Sequence, residues 1–260
     1  MQSLEAIDDW GANFAAAGVV RAAGVVDTHG PRDVAVRWAS VTKLLTGLAA
    51  LVAVEEGAVE LDEHLRRLLS HAGERRRRYS NEGIEEAAEL IGAAAGMPFA
   101  DYFREAVVQP LGLRGSLQGS PAADYVGPLD DLLTLGRELL APTLVAPETL
   151  EEATTVQFPG LPGVLPSWGR HEPNDWGLTF ELRDRKSPHW TSAQNSPRTF
   201  GHFGQTGTFL WVDPDLGAAC GVLTDEDFGV WAKEAWPRFN DAVVAELSQA
   251  GQARAPRMKP

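Results

Sequence analysis

The sequence predicts an α+β fold: an antiparallel sheet flanked by N- and C-terminal helices, with an inserted, mostly helical subdomain. Three observations predict it. β-rich, turn-punctuated segments occur near both ends of the 260-residue chain. A helix with almost no polar face follows the first of them, as at the centre of a protein. The long middle carries helical periodicity broken by Pro142, Pro147, Pro159, Pro162, Pro166 and Pro173. A sheet assembled from residues 1–60 and 200–250, with 61–199 as the helical, loop-rich insertion, accounts for this order. Its strands meet through hairpin turns rather than helical crossovers, so the sheet must be mainly antiparallel. A tail at 251–260 lies outside the compact part.

Taken in order, Ser3 to Ala17 reads as a helix, with Leu4, Ile7, Trp10, Phe14 and Ala17 at helical spacing. Val19 to Val26 is β-rich. Asp27 to Asp33 is a turn cluster, and Val34 to Trp38 completes a hairpin. Ser40 to Glu56 is the buried helix, with Gly57 as its stop. In the insertion, Gly83 to Ala95, Phe99 to Val107 and Leu129 to Leu140 read as helices, and Trp176 to Leu182 reads as a candidate strand. Pro98 heads its helix where its missing N–H costs little. Asp130 and Asp131 suit the first turn of theirs. Gly207 to Val212 and Ala218 to Leu223 form a second hairpin around Asp213 to Gly217, and Phe228 to Leu247 is a closing helix.

The formal net charge is −13, from 36 acidic and 23 basic residues. Such a surface repels phosphate backbones and anionic lipid, which argues against nucleic-acid and membrane partners. The run Arg75 to Arg78 is a local exception, expected as a solvated loop. The lone Cys220 sits in an apolar run and reads as a buried structural thiol. No segment approaches the ~20 apolar residues of a membrane span. Residues 1–10 carry Glu5, Asp8 and Asp9 and lack the basic start and apolar stretch of a secretory signal, so a cytoplasmic protein is expected.

The chemistry-bearing segments are three. Ser40-Val41-Thr42-Lys43 puts a hydroxyl and an amine on one helix face. A serine alcohol needs a base to take its proton, and a lysine whose pKa is lowered by burial can serve. Free N–H groups at the start of that helix favour a developing oxyanion. The competing reading makes Ser40 a helix cap and Lys43 a surface residue, yet Lys43 enters the most apolar helix of the chain. Tyr79-Ser80-Asn81 precedes a helix. Tyr79 can shuttle protons and Asn81 can bind Lys43 and a substrate amide, or Ser80 or Asn81 simply caps the helix. Gly201 to Gly207 places His202 among glycines that permit close backbone approach. His202 either orients substrate or is structural. Trp168, His171, Trp176, His189 and Trp190 line the acyl pocket or pack under loops, whereas His64 and His71 read as structural.

In this order the segments resemble the serine β-lactamase and penicillin-binding protein superfamily, in its class C β-lactamase, D-alanyl-D-alanine peptidase and esterase branch. Ser40 to Lys43 matches Ser-x-x-Lys. Tyr79 and Asn81 match Tyr-x-Asn, and His202 and Gly204 match His-x-Gly. Trp38-Ala39, Glu55-Glu56-Gly57, Leu68 to His71, Val108 to Leu113 and Leu210 to Pro214 agree as flanking text. The resemblance implies that Ser40 attacks a carbonyl to form an acyl-enzyme, that Lys43 and Tyr79 share the proton traffic, and that water completes hydrolysis. It implies an oxyanion hole of the Ser40 and Gln205 N–H groups and substrate contacts at Asn81, His202, Gly204 and Gln205. It implies a small-molecule acyl substrate and no metal or cofactor. The chain departs from the family in a short segment, Glu74 to Arg78, ahead of Tyr79, and in His202-Phe203 where relatives have Lys-Thr. An ester or D-amino-acid amide therefore fits at least as well as a β-lactam. A catalytically idle ligand-binding member and a transacylase are the alternatives.

Overall fold

The computed structural model describes residues 1–254. The chain opens on a 3₁₀ helix, Gln2–Trp10, followed by β1 (Ala15–Arg21), β2 (Gly24–His29) and β3 (Val36–Arg37). A single turn, Ala39–Val41, leads into α1 (Thr42–Glu55) and α2 (Glu63–Leu69). Next come α3 (Asn81–Ala95), α4 (Phe99–Phe103) with a π-helical extension to Val108, β4 (Ser116–Leu117), β5 (Tyr125–Gly127), α5 (Leu129–Leu140) and α6 (Pro147–Ala153). The hairpin β6 (Gly163–Leu165) and β7 (Gly169–His171) precedes β8 (Glu181–Leu182), β9 (Phe200–Gly204), β10 (Thr208–Asp213), β11 (Ala218–Thr224) and α7 (Val230–Arg254).

The main sheet has the order β2-β1-β11-β10-β9-β8, antiparallel throughout. Its centre therefore joins the first strand of the chain to the last. Alternation along β10 shows why its run is apolar without a polar face. Phe209 and Trp211 pack with Leu4, Ile7, Trp236 and Phe239 of the terminal helices. Leu210 and Val212 pack with α1 and α5 through residues such as Leu48, Leu132 and Leu135. Both faces are covered, so both sets of alternate side chains must be apolar.

Several expectations are corrected. The first helix ends at Trp10, where Gly11 turns left-handed (φ 76°). Ala15 to Ala17 have good helix propensity, but register with Thr224, Leu223 and Val222 makes them a strand, because pairing at the sheet centre outweighs propensity. The first hairpin turns at Ala22-Ala23, and the segment expected as its second strand lies elsewhere: Val36 and Arg37 pair with Gly127 and Val126 in a separate three-stranded sheet. Of Trp176 to Leu182 only Glu181–Leu182 is strand, with an isolated bridge from Trp176 to Glu181. The tail expected at 251–260 is helical to Arg254 and otherwise lies outside the described residues. Cys220 is fully buried on β11, and burial pushes its thiol pKa up.

The arginine run is not uniformly solvated. Arg75, Arg76 and Arg78 are exposed, but Arg77 is 3 % exposed. Its guanidinium donates to the carbonyls of Ser70 (2.8 Å), Phe158 (3.1 Å) and Gln157 and lies 4.0 Å from Asp175. Its backbone N–H donates to Pro162 O at 2.8 Å, which fastens the run to the β6–β7 hairpin. Among the described residues no helix is long and apolar enough to cross a membrane. Replacing Arg77 by Ala leaves these carbonyls without their donor and Asp175 without its counter-charge. Urea denaturation should show a loss of about 3–5 kcal/mol, as for breaking a buried charge pair; a change within error would mean that water substitutes for the guanidinium.

Candidate active site

Three segments converge where α1 begins. Ser40 lies in the turn that leads into α1. Lys43 lies one turn on and is 0 % exposed, despite its charge-bearing end. The turn is held in place by the sheet: Thr208 Oγ1 donates to Trp38 O (2.8 Å) and Thr206 Oγ1 to Arg37 O (2.9 Å). Gly204 is needed here. A Cβ at that position would stand 2.5 Å from Trp38 O and 3.0 Å from Ala39 Cβ, so only glycine lets β9 approach the turn this closely. Ala39 itself adopts φ 46°, a left-handed conformation held immediately before Ser40.

The second segment straddles a helix cap. Ser80 is the N-cap of α3, its Oγ accepting from Gly83 N at 3.0 Å. With the cap filled by Ser80, Asn81 is free to face α1, and its Oδ1 accepts from Lys43 Nζ at 2.7 Å. Tyr79, on the other side of the cap, donates its phenol proton to Ser40 Oγ at 2.7 Å. Lys43 Nζ also donates to Ala122 O at 2.8 Å, lies 3.2 Å from Ser40 Oγ, and sits 4.8 Å from the centre of the Tyr79 ring. The Ala122 carbonyl escaped sequence analysis because a backbone oxygen leaves no residue signature. Its loop is pinned by Thr46 Oγ1 donating to Pro121 O (2.6 Å) and Ser120 N donating to Asp124 Oδ2 (2.8 Å).

The third segment brings His202, on β9, to the far side of Tyr79. Its Nδ1 lies 2.7 Å from Phe203 O, which can only accept, so Nδ1 carries the proton and Nε2 presents a lone pair 3.5 Å from Tyr79 Oη. Gln205 is exposed, with its side chain turned to Phe228 O (3.3 Å). Its backbone N–H and that of Ser40 have no protein acceptor among the described residues.

Burial dominates the electrostatics. Desolvation lowers the Lys43 pKa to about 7, against the opposing pull of Glu85 and Glu82. It pushes the Tyr79 phenol up, against the hydrogen bond to Ser40, so that group keeps its proton. It lowers His202 to about 3, helped by Lys43, so the imidazole is neutral. A neutral Lys43 amine has two N–H donors and one lone pair. Asn81 Oδ1 and Ala122 O accept the two protons, which leaves the lone pair for the Ser40 hydroxyl. The arrangement can therefore deprotonate Ser40 at Lys43 while Tyr79 holds a proton on the same oxygen.

Of the remaining candidates, Trp176 joins the site. Its ring lies 5.8 Å from that of Tyr79 and 5.5 Å from that of His202. His71, expected only as structural, forms the back wall, 4.7 Å from the Tyr79 ring and 4.8 Å from the Trp176 ring, its Nδ1 accepting from Ser80 N at 3.3 Å. The hydroxyl of its neighbour in sequence, Ser70, donates to Arg66 O (2.7 Å). His189 and Trp190 instead bond the buried Glu181 carboxylate (2.8 and 2.9 Å), which also pairs with Lys186. Trp168 packs against Phe228, and His64 pairs at the surface with Glu86.

The family model for beta-lactamase matches residues 66–245. A solved beta-lactamase from Mycobacterium bovis is 45% identical, with 94% of this chain and 99% of that chain covered and a TM-score of 0.92. A hydrolase with promiscuous acyltransferase activity (17% identity, 93% and 96% covered, TM-score 0.74) shares the fold. So does a D-stereospecific amidohydrolase from Streptomyces sp. (18% identity, 90% and 96% covered, TM-score 0.66). No curated protein matches the chain significantly. Titration of Lys43 followed by NMR of the isotopically labelled side chain should give a midpoint near 7; a midpoint near the ordinary 10.5 would remove its capacity as a base at neutral pH.

Proposed function

Because the chain belongs to the beta-lactamase family, we propose that it is a serine hydrolase that cleaves a small ester or amide through an acyl-enzyme on Ser40. The observation that carries this is the disposition of the Lys43 amine. Its Nζ lies within bonding distance of Asn81 Oδ1 (2.7 Å), Ala122 O (2.8 Å) and Ser40 Oγ (3.2 Å), so that in the neutral amine the first two take its protons and the lone pair is left for Ser40.

In this reading Ser40 Oγ attacks the substrate carbonyl as its proton passes to Lys43. Charge develops on the carbonyl oxygen between the N–H groups of Ser40 and Gln205. Tyr79, which keeps its phenol proton, delivers it to the departing oxygen or nitrogen and recovers a proton from Lys43. Water then attacks the acyl ester and gives up one proton to the Lys43–Tyr79 pair, which passes one proton to the departing Ser40 Oγ and so restores the starting state. His202 Nε2 lies 3.5 Å from the phenol oxygen and can accept its hydrogen bond when the hydroxyl turns away from Ser40. The geometry supports Lys43 rather than Tyr79 as the base, since burial favours the neutral form of each.

The neutral His202 also bears on substrate choice. Where relatives in the resemblance carry Lys-Thr, this chain offers no cation to a substrate carboxylate at that strand. Esters and D-amino-acid amides therefore fit this site at least as well as β-lactams. The idle-binder alternative has little support, since the groups of the three segments lie within bonding reach of one another.

Intact-mass analysis after a fluorophosphonate, p-nitrophenyl acetate or a penicillin should show one adduct, absent from Ser40→Ala. A Ser40→Ala protein with full turnover would dispose of the reading. Tyr79→Phe should lower kcat by about 10²–10⁴, the usual contribution of a positioned proton donor. Lys43 acts deprotonated, so kcat/KM should rise with pH and level off above about 7; a rate that falls across that range would reverse the assignment.

A further inference from the structure

A cleft of about 630 Å³ opens beside Tyr79. Arg75, Arg76 and Arg78 line it together with Pro162 and Val164 of the β6–β7 hairpin region. Arg170 also lines it, but is paired with Glu172 at 2.8 Å. The other three guanidiniums form no ion pair or side-chain hydrogen bond among the described residues, although the chain carries 36 acidic residues. Like charges this close repel one another, and the acidic surface elsewhere offers partners they do not take. The segment cannot simply splay away. Arg77 is buried at its middle, and its N–H is tied to Pro162 O at 2.8 Å. The backbone that carries the three exposed cations is therefore held at the cleft, whose lining also includes the apolar Pro162 and Val164, the latter 59% exposed.

We propose that this cleft is an oxyanion subsite of the same active site: it binds a carboxylate or phosphate carried by the acyl substrate, with the adjoining apolar part of the substrate against Pro162 and Val164. The inference rests on Ser40 chemistry only for where the reacting carbonyl lies. Arginine suits this task because its planar fork pairs with carboxylate and phosphate oxygens two at a time. The cleft also adjoins the site, because Tyr79 both lines it and bonds Ser40 Oγ at 2.7 Å. Since His202 is neutral, positive charge for substrate recognition lies on this side of Tyr79 rather than on β9.

Two substrate pairs separate the possible carriers of the anion. Mono-p-nitrophenyl glutarate against p-nitrophenyl butyrate places a carboxylate on the acyl group. S-butyryl phosphopantetheine against S-butyryl pantetheine places a phosphate on the leaving group. The kcat/KM ratio of anionic to neutral member should exceed one in at least one pair. It should fall by about 10–100-fold in R75Q/R76Q/R78Q, as for lost hydrogen bonds to a charged group. The preference should also shrink between 0.1 and 1 M salt, where the screening length drops from about 10 to about 3 Å. A ratio that favours neither anion, or one that survives in the triple variant, overturns the subsite. Calorimetric binding of monomethyl glutarate and of phosphopantetheine to Ser40→Ala tests it without turnover. If the protein hydrolyses nothing but either anion binds and the triple variant loses it, the subsite stands and the hydrolase reading falls. If neither anion binds, the subsite falls, whatever the turnover of neutral esters.

Discussion

Everything at the site depends on placing a lysine amine where water does not reach. Lys43 enters the most apolar helix of the chain, and its burial is tolerable only because Asn81 and Ala122 take its protons. The same desolvation that makes the position costly brings the amine near neutrality, which a base for serine chemistry requires. Position and reactivity thus have one cause. The supporting structure follows from it: Ser80 must cap α3 so that Asn81 is free, and the loop at Ala122 must be pinned so that its carbonyl stays aimed.

The sheet serves the same end from the other side. Because β10 is apolar on both faces, it is locked between the terminal helices and the α1–α5 layer. From that rigid position Thr208 holds the carbonyl of Trp38, and Gly204 lets β9 lie against the turn that carries Ser40. The left-handed Ala39 is a strained residue that such over-determination sustains. The two N–H groups without a protein acceptor among the described residues, those of Ser40 and Gln205, therefore lie in backbone next to strand β9, which the core holds in place.

The sequence made the fold class, α1, α3, α5, the C-terminal hairpin and the closing helix legible, because each has a clear period or a clear stop. It misled at Ala15 to Ala17, where alanines of high helix propensity are conscripted into the centre of a sheet by partners more than 200 residues away. It misplaced the first hairpin because Ala22-Ala23 is a turn without Gly, Pro or Asn, whereas the Asp27 to Pro31 cluster has Asp, Gly and Pro. At the site, Ser40, Lys43, Tyr79, Asn81 and His202 were nameable because their side chains follow motifs, and the structure brings them together. The Ala122 carbonyl and the packing role of His71 and Trp176 were not, since a carbonyl has no letter and a wall is defined only by what it touches. Arg77 was hidden inside a run that looked uniformly solvated; one member of four is buried because three carbonyls happen to converge on it.

The wall behind Tyr79 also sets how the molecule meets acid. Trp176 rests against Tyr79 on one side and lies 5.9 Å from the Lys186 ammonium on the other, and Lys186 pairs with Glu181. Burial alone would raise the Glu181 pKa, but His189 and Lys186 outweigh it and hold the carboxyl at about 2. A folded-state value below the ordinary 4.5 means that the pairing supports folding above that pH and is surrendered only as pH falls towards 2. Lys43 takes up its proton several pH units earlier, near 7. Mild acidification accordingly charges the Lys43 amine while the Glu181 carboxylate stays ionised, so the amine changes state before the pairing that supports its surroundings is touched.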